Sequence, residues 1–187
     1  MYDTSQFRRG LKVEIDGYPY TMVDCDFVKP GKGQAFTRVR LKNLVSGQVL
    51  DRTFKSGETV GEAHLDETKM QFLYADGDDY HFMNLKTYEQ EVIPRGQLGD
   101  AWQWLLENME ATVLFFRSRA ISVEVPTFVE MQITECEPGV RGDTRTNVTK
   151  PAVLPTGAKV QVPLFVEQGE WIRVDTRTSA YVERVKK

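Results

Sequence analysis

Val28-Lys29-Pro30-Gly31-Lys32-Gly33-Gln34-Ala35-Phe36, residues 28–36, is the stretch on which the reading of this chain turns. Pro30 fixes its own φ, and Gly31 and Gly33 allow positive φ. Together they make a tight loop between two strands, with Lys32 at the tip and no side-chain bulk on either side. Beyond the loop, Ala35 to Leu41 alternates, with Phe36, Val39 and Leu41 as its apolar members. That is the period of a half-buried strand. Before the loop, Tyr18 to Phe27 is a second apolar-rich stretch. The residues alone leave two readings: a plain hairpin turn with an exposed lysine, or a bare cationic tip whose backbone can approach a partner closely.

The same grammar extends outward. Leu11-Lys12-Val13-Glu14-Ile15 alternates and Asp16-Gly17 is a hairpin turn. Val45-Ser46-Gly47 turns the chain into Gln48–Phe54, and Ser56-Gly57-Glu58-Thr59 makes another turn. A second block starts near Ala63, with a hairpin from Gln71–Tyr74 to Tyr80–Met83 and Asp76-Gly77 at its tip. The best helix candidate is Asp100 to Met109, with Asp100 as N-cap and Trp102, Leu105, Leu106 and Met109 on one side. Thr112–Phe116 and Ile121–Val125 read as strands. Past Pro126, so do Phe128–Ile133, Ala158–Val162, Glu170–Val174 and Tyr181–Val185. Pro138 to Pro155 has no periodicity and reads as one long loop. Many short strands in blocks of about 60 residues predict an all-β chain of several small barrels.

The chain has 187 residues, 41% hydrophobic and 27% charged, a balance that excludes a disordered or collagen-like chain. It has no run of 18 apolar residues, so no membrane span is expected, and Met1 to Gly10 does not read as a secretory signal. Cys25 and Cys136 are far apart and are read as reduced thiols of a cytoplasmic protein. The net charge of −3 is unevenly spread: +3 over residues 1–60, −7 over 61–126 and +1 over 127–187. Lys29, Lys32, Arg38, Arg40 and Lys42 fall in fourteen residues without an acid. That stripe is either a solvated strand face or a contact for a polyanion at one end of the molecule.

Catalytic constellations are mostly absent from the sequence. His64 and His81 have no partner at metal-ligand spacing, so no zinc site is expected. G-x-S-x-G and H-E-x-x-H do not occur. Gly31-Lys32-Gly33 is not a phosphate-binding P-loop: Asp26 stands where the first glycine belongs and Gly33 where Ser or Thr must follow the lysine. Arg141-Gly142-Asp143 and Asn147-Val148-Thr149 mimic adhesion and glycosylation motifs that need an extracellular setting. Lys32 as an enzymatic nucleophile would need burial or a cationic neighbour, and a glycine-flanked tip offers no burial. No cofactor is expected.

At the lysine loop the sequence resembles bacterial elongation factor P. The resemblance includes Phe7–Lys12, Phe27–Phe36, Leu41–Leu44, Arg52–Gly57, Leu73-Tyr74, His81–Met83, Pro138–Thr144, Lys150–Ala152, Val162–Val166 and Gly169-Glu170. It implies an SH3-like (KOW-like) domain over 1–63 and OB folds over 64–127 and 128–187, in an L shape like that of tRNA. It also implies a nonenzymatic, monomeric translation elongation factor that enters the ribosome between the peptidyl and exit sites and promotes peptide bonds at consecutive prolines. Lys32, supported by Pro30, Gly31 and Gly33, would reach the peptidyl-tRNA carrying an added β-lysyl group from a lysine-modifying enzyme. Lys29, Arg38, Arg40, Lys42, Tyr181 and Arg184 become tRNA-contact candidates. Gly142, Asp143 and Thr144 would lie near messenger RNA. The chain departs from the family in lacking the glycine often found in the turn Thr178-Ser179-Ala180. A general single-strand RNA chaperone is the competing reading, and the acidic 61–126 block argues against it.

Overall fold

The chain opens with a two-residue strand, Tyr2–Asp3 (β1), and Lys12–Ile15 (β2) leads into the first hairpin. Asp16 and Gly17 both take positive φ, 53° and 81°. This is the twist of a primed two-residue turn, and it places Ile15 opposite Tyr18 at the start of Tyr18–Val28 (β3). Phe36–Asn43 (β4), Val49–Lys55 (β5) and Thr59–Glu62 (β6) follow, and the sheet runs β1-β6-β2-β3-β4-β5. Along β4 the expected alternation holds: Thr37, Val39 and Leu41 are buried, while Arg38, Arg40 and Lys42 are exposed. Val39 and Leu41 join Val13, Met22, Phe54 and Val60 in the core of this block.

The computed structural model describes residues 1–138 and 148–187, and strand is its main element. Two compact units emerge: Met1–Glu67 with Leu114–Ser122, and Thr68–Val113 with Val123–Lys187. Among the described residues no helix is long and apolar enough to cross a membrane.

In the second unit Leu65–Asp76 (β7, from Thr68 on), Asp79–Asn84 (β8) and Gln90–Pro94 (β9) form an antiparallel meander. Asp76 pairs with Asp79, so the tip is Gly77-Asp78, one residue beyond the predicted Asp76-Gly77. The expected helix Asp100–Met109 does not form. A single α-turn covers Arg95–Leu98 (α1), and a 3-10 turn covers Gly99–Trp104. Gly99, at φ 55° and ψ −129°, breaks the α-turn before Asp100 can cap anything. Phe72 N–H donates to Met109 O, and Asn108 N–H to Phe72 O, each at 2.8 Å. These bonds draw residues 108–109 into the sheet, which excludes a helix there. Glu110–Phe116 (β10) and Arg119–Glu124 (β11) are joined at Arg117 and Ser118, both at positive φ without a glycine.

The last block holds Phe128–Gln132 (β12), Glu135–Cys136 (β13), Thr149–Val153 (β14), Lys159–Pro163 (β15), Trp171–Asp175 (β16) and Ala180–Val185 (β17). Its sheets run β12-β16-β17 and β13-β14-β15. Strand β14 lies within the stretch read as one long loop. It contains Pro151, which lacks the N–H a central strand needs. The structure accommodates it because β13 pairs only with Ala152 and Val153 and stops short of Pro151. Lys150 is buried on the same strand, and its Nζ donates to Glu137 O at 2.7 Å. Trp104 reaches from the 3-10 turn into this core beside Val129, Met131, Leu154 and Ile172.

Candidate nucleic-acid interface

The lysine loop sits on the β3–β4 hairpin. Val28 opposes Phe36, so residues 29–35 span the gap. The base is tied down: Phe36 also opposes Lys55 on β5, and Ser56 N–H donates to Ala35 O at 3.1 Å. Lys29, Gly31, Lys32, Gly33 and Gln34 are exposed, and Pro30 is half-buried. The two glycines play different parts. Gly33 stands at φ +114°, where a Cβ is strained, and a Cβ built there would lie 3.8 Å from Pro30 Cγ. Gly31 has no such φ and faces open space. Conformational freedom is therefore used at Gly33, and bareness is what Gly31 contributes. Lys32 extends into solvent with no carboxylate within ion-pair distance among the described residues, and the same is true of Lys29.

The remaining basic stripe is less bare than its sequence. Register sets Arg40 between Asp24 on β3 and Asp51 on β5, and its Nε donates to Asp51 Oδ1 at 3.1 Å. Arg38 lies opposite Asp26, and Lys42 opposite Thr21 and Val49. Neighbouring strands thus bring acids beside Arg38 and Arg40, of which Arg40 alone is ion-paired among the described residues, and none beside Lys42. Lys29 and Lys32, on the loop, escape this pairing. Close by, Phe27 is 65% exposed on the row Phe27–Thr37–Phe54, and sequence reasoning did not single it out. Thr37 Oγ1 is buried on that row and has no hydrogen-bond partner among the described residues. Cys25, half-buried one row further in, is a free thiol whose pKa is pushed up by burial and then by Asp26 and Asp24. It is a poor nucleophile on that account.

The structure brings Tyr181 and Arg184 together in the last block, around an open concavity of about 770 Å³. Tyr181 is half-buried opposite Val174, and burial is the main cause that raises its phenol pKa. Arg184 is exposed but engaged: Nη1 donates to Glu170 Oε1 at 3.0 Å, and its guanidinium lies 5.0 Å from the Phe165 ring centre. Trp171 lines the same concavity beneath Lys187 Nζ, 4.1 Å from its ring. Phe165, Trp171 and Lys187 escaped sequence reasoning because they come together only through sheet pairing and the run of the chain after β17. Gly142, Asp143 and Thr144 lie outside the described residues. Among those described, no group of His, Cys, Asp and Glu could hold a metal ion.

Three family models match in chain order: an elongation factor P KOW-like domain over residues 3–60, an elongation factor P OB domain over 65–123 and the elongation factor P C-terminal domain over 129–184. Elongation factor P of Desulfosudis oleivorans is 51% identical over 187 residues, covering all of both chains. That of Natranaerobius thermophilus is 50% identical over 186 residues, covering all of this chain and 99% of its own. Among solved structures, the eukaryotic translation initiation factor 5A from Methanococcus jannaschii superposes with a TM-score of 0.54 at 26% identity, over 65% of this chain and 94% of that one. The all-β architecture, with its KOW-like and OB domains, is thus the one the resemblance implied. With matches running unbroken from the first strand to the last at about half identity, the chain belongs to the elongation factor P family of translation elongation factors.

Proposed function

We propose that this chain binds the ribosome between the peptidyl and exit sites and speeds peptide bond formation at consecutive prolines, with Lys32 as the group that reaches the peptidyl-tRNA. The observation that carries this reading is the solitary Lys32 amine on a loop whose base is fastened to β5. A proline's restricted φ makes the nascent end hard to align. Holding reactants in attack geometry contributes several kcal/mol in favourable cases. A cation that spends none of its charge on its own protein is suited to phosphates and sugars at the acceptor end. The ribosome forms the bond, and the chain contributes no catalytic group.

A β-lysyl group added to Lys32 by a modifying enzyme lengthens this reach and adds charge. Lys29 supports the same contact from the loop. Arg40 joins it only by leaving Asp51, whereas Arg38 and Lys42 have no ion pair among the described residues to give up. Tyr181 and Arg184 contact the tRNA backbone from the last block, positioning without reading sequence; Gly142, Asp143 and Thr144 approach the messenger. The chain acts as a cytoplasmic monomer with domains bounded at 1–63, 64–127 and 128–187.

Lys32→Ala tests the reading in a purified translation system. Synthesis of a triple-proline tract is expected to fall at least about tenfold, the equivalent of roughly 1.4 kcal/mol of lost positioning, with an unchanged melting temperature. Undiminished proline-tract synthesis by Lys32→Ala refutes the role. Intact-mass measurement of protein from its natural source checks the adduct, and an unmodified lysine in fully active protein removes it.

A further inference from the structure

The outer face of the β7–β8–β9 meander carries a row that the lysine-loop reading does not use. Tyr74 pairs with His81, and His81 with Val92. Directly opposed residues share a face, and this face is the solvent side: Tyr74 is 46% and Val92 47% exposed, while Tyr80 and Ile93 point the other way into the core. The Tyr74 ring lies flat on the His81 imidazole, with centres 4.4 Å apart and planes 17° apart. The next row toward the turn sets Asp76 opposite Asp79, both exposed. Like charges directly opposite on a sheet are unfavourable. The nearby Arg95 does not relieve them, because it faces Asp78 at 3.9 Å and lies over the Trp102 ring at 3.9 Å. Among the described residues neither Asp76 nor Asp79 has an ion-pair partner.

A stacked aromatic platform bordered by two carboxylates without ion-pair partners among the described residues is complementary to a lysine or arginine side chain. The acids match its charge, and the ring face accepts its stem or guanidinium. The −7 charge of residues 61–126 repels a polyanion. We propose that this face docks a basic segment of a protein partner, its cation held by Asp76 and Asp79 and its stem laid on Tyr74 and His81. The inference does not depend on the Lys32 reading.

The test is a titration of the full, isotope-labelled chain with a capped hexa-arginine peptide, followed residue by residue by NMR, with a uridine hexanucleotide as the competing class. Peptide-induced shifts are expected at Tyr74, Asp76, Asp79, His81 and Val92. Affinity at those residues is expected to weaken at least about fivefold in Asp76→Asn/Asp79→Asn and in Tyr74→Ala. All three positions are exposed, so the variants keep the fold, which their melting curves check. No peptide shifts on this face, shifts of equal affinity in the variants, or binding of the RNA there would each overturn the proposal. Lys32→Ala is expected to bind the peptide as the wild type does, so a failed ribosome assay leaves this result standing on its own.

Discussion

The β3–β4 hairpin and the β16–β17 hairpin both present cations to solvent, and they treat them in opposite ways. On β16, β17 and the turn between them, Arg173 sits between Glu130 and Glu183, Arg177 holds Asp175, and Arg184 holds Glu170. At the β3–β4 tip, Lys29 and Lys32 have no ion-pair partner among the described residues. The tips differ in backbone as well: Gly33 carries the positive φ of the first, and Ser179, at φ 56°, carries that of the second. Paired surface charges mostly fix local geometry and contribute little to stability. An unpaired one keeps its full attraction for another molecule. Among the described residues the first tip leaves its two lysines open to solvent, and the second hairpin pairs its arginines within the chain.

Giving the lysine loop the kind of partner that Arg184 already has is the strongest way to break this contrast. Gln34 is exposed two residues from Lys32. Gln34→Glu places a carboxylate within reach of the amine and makes the loop resemble the other hairpin. Proline-tract synthesis is expected to fall several-fold, on the order of 1 kcal/mol of competing attraction, less than for Lys32→Ala, with melting unchanged. Synthesis at the wild-type rate would mean that solitude of the Lys32 charge is not what matters.

Turns and strands along the whole chain show what could be read from residue order. Asp16-Gly17 announced its turn because both residue types favour positive φ, and β4 announced its faces by strict alternation. Arg117-Ser118 gave no such sign, since neither residue prefers the conformation it adopts. Strand β14 was hidden by Pro151, whose tolerance depends on where β13 ends. The stripe from Lys29 to Lys42 looked uniformly basic because the acids opposite Arg38 and Arg40, namely Asp24, Asp26 and Asp51, arrive through sheet register. Of the candidate site, the exposure of Lys32 at a bare tip was legible from its flanking glycines, whereas the Phe165–Arg184 and Trp171–Lys187 stacks are products of tertiary placement.

Swapping the backbone types of the two tips sharpens the comparison at a smaller scale. Gly33→Ala puts a Cβ where φ is +114°. It is expected to lower stability by about 1 kcal/mol, or to displace the loop and lower activity instead. Ser179→Gly removes a strained non-glycine residue and is expected to raise stability by a few tenths to about 1 kcal/mol, net of the freedom glycine adds to the unfolded chain. Gly31→Ala, with open space and no positive φ, is the control expected to leave denaturation midpoints unchanged. Urea midpoints falling for Gly33→Ala and rising for Ser179→Gly confirm the assignment, and shifts of the same sign would refute it.

The smallest expected effect concerns pH, and it separates the two hairpins most cleanly. Glu130 accepts from Arg173 Nη2 at 2.9 Å and from Lys187 Nζ at 3.3 Å. The bond from Arg173, and next that from Lys187, hold its carboxyl below the usual carboxylate range. A carboxyl whose pKa is depressed on folding stabilises the fold above its unfolded pKa, about 4.3 for Glu. That contribution fades as pH falls through the lower, folded value. Glu130→Gln is therefore expected to melt slightly below the wild type at pH 7, with the gap closing as pH drops below about 4. Lys32→Ala, which removes a cation that no carboxyl in the described residues answers, is expected to track the wild type throughout the same series of thermal melts. A Glu130→Gln gap that stays constant from pH 7 to pH 3 would show that the ion network of β12, β16 and β17 does not hold this carboxyl, and with it would go the distinction between an internally paired hairpin and an open one.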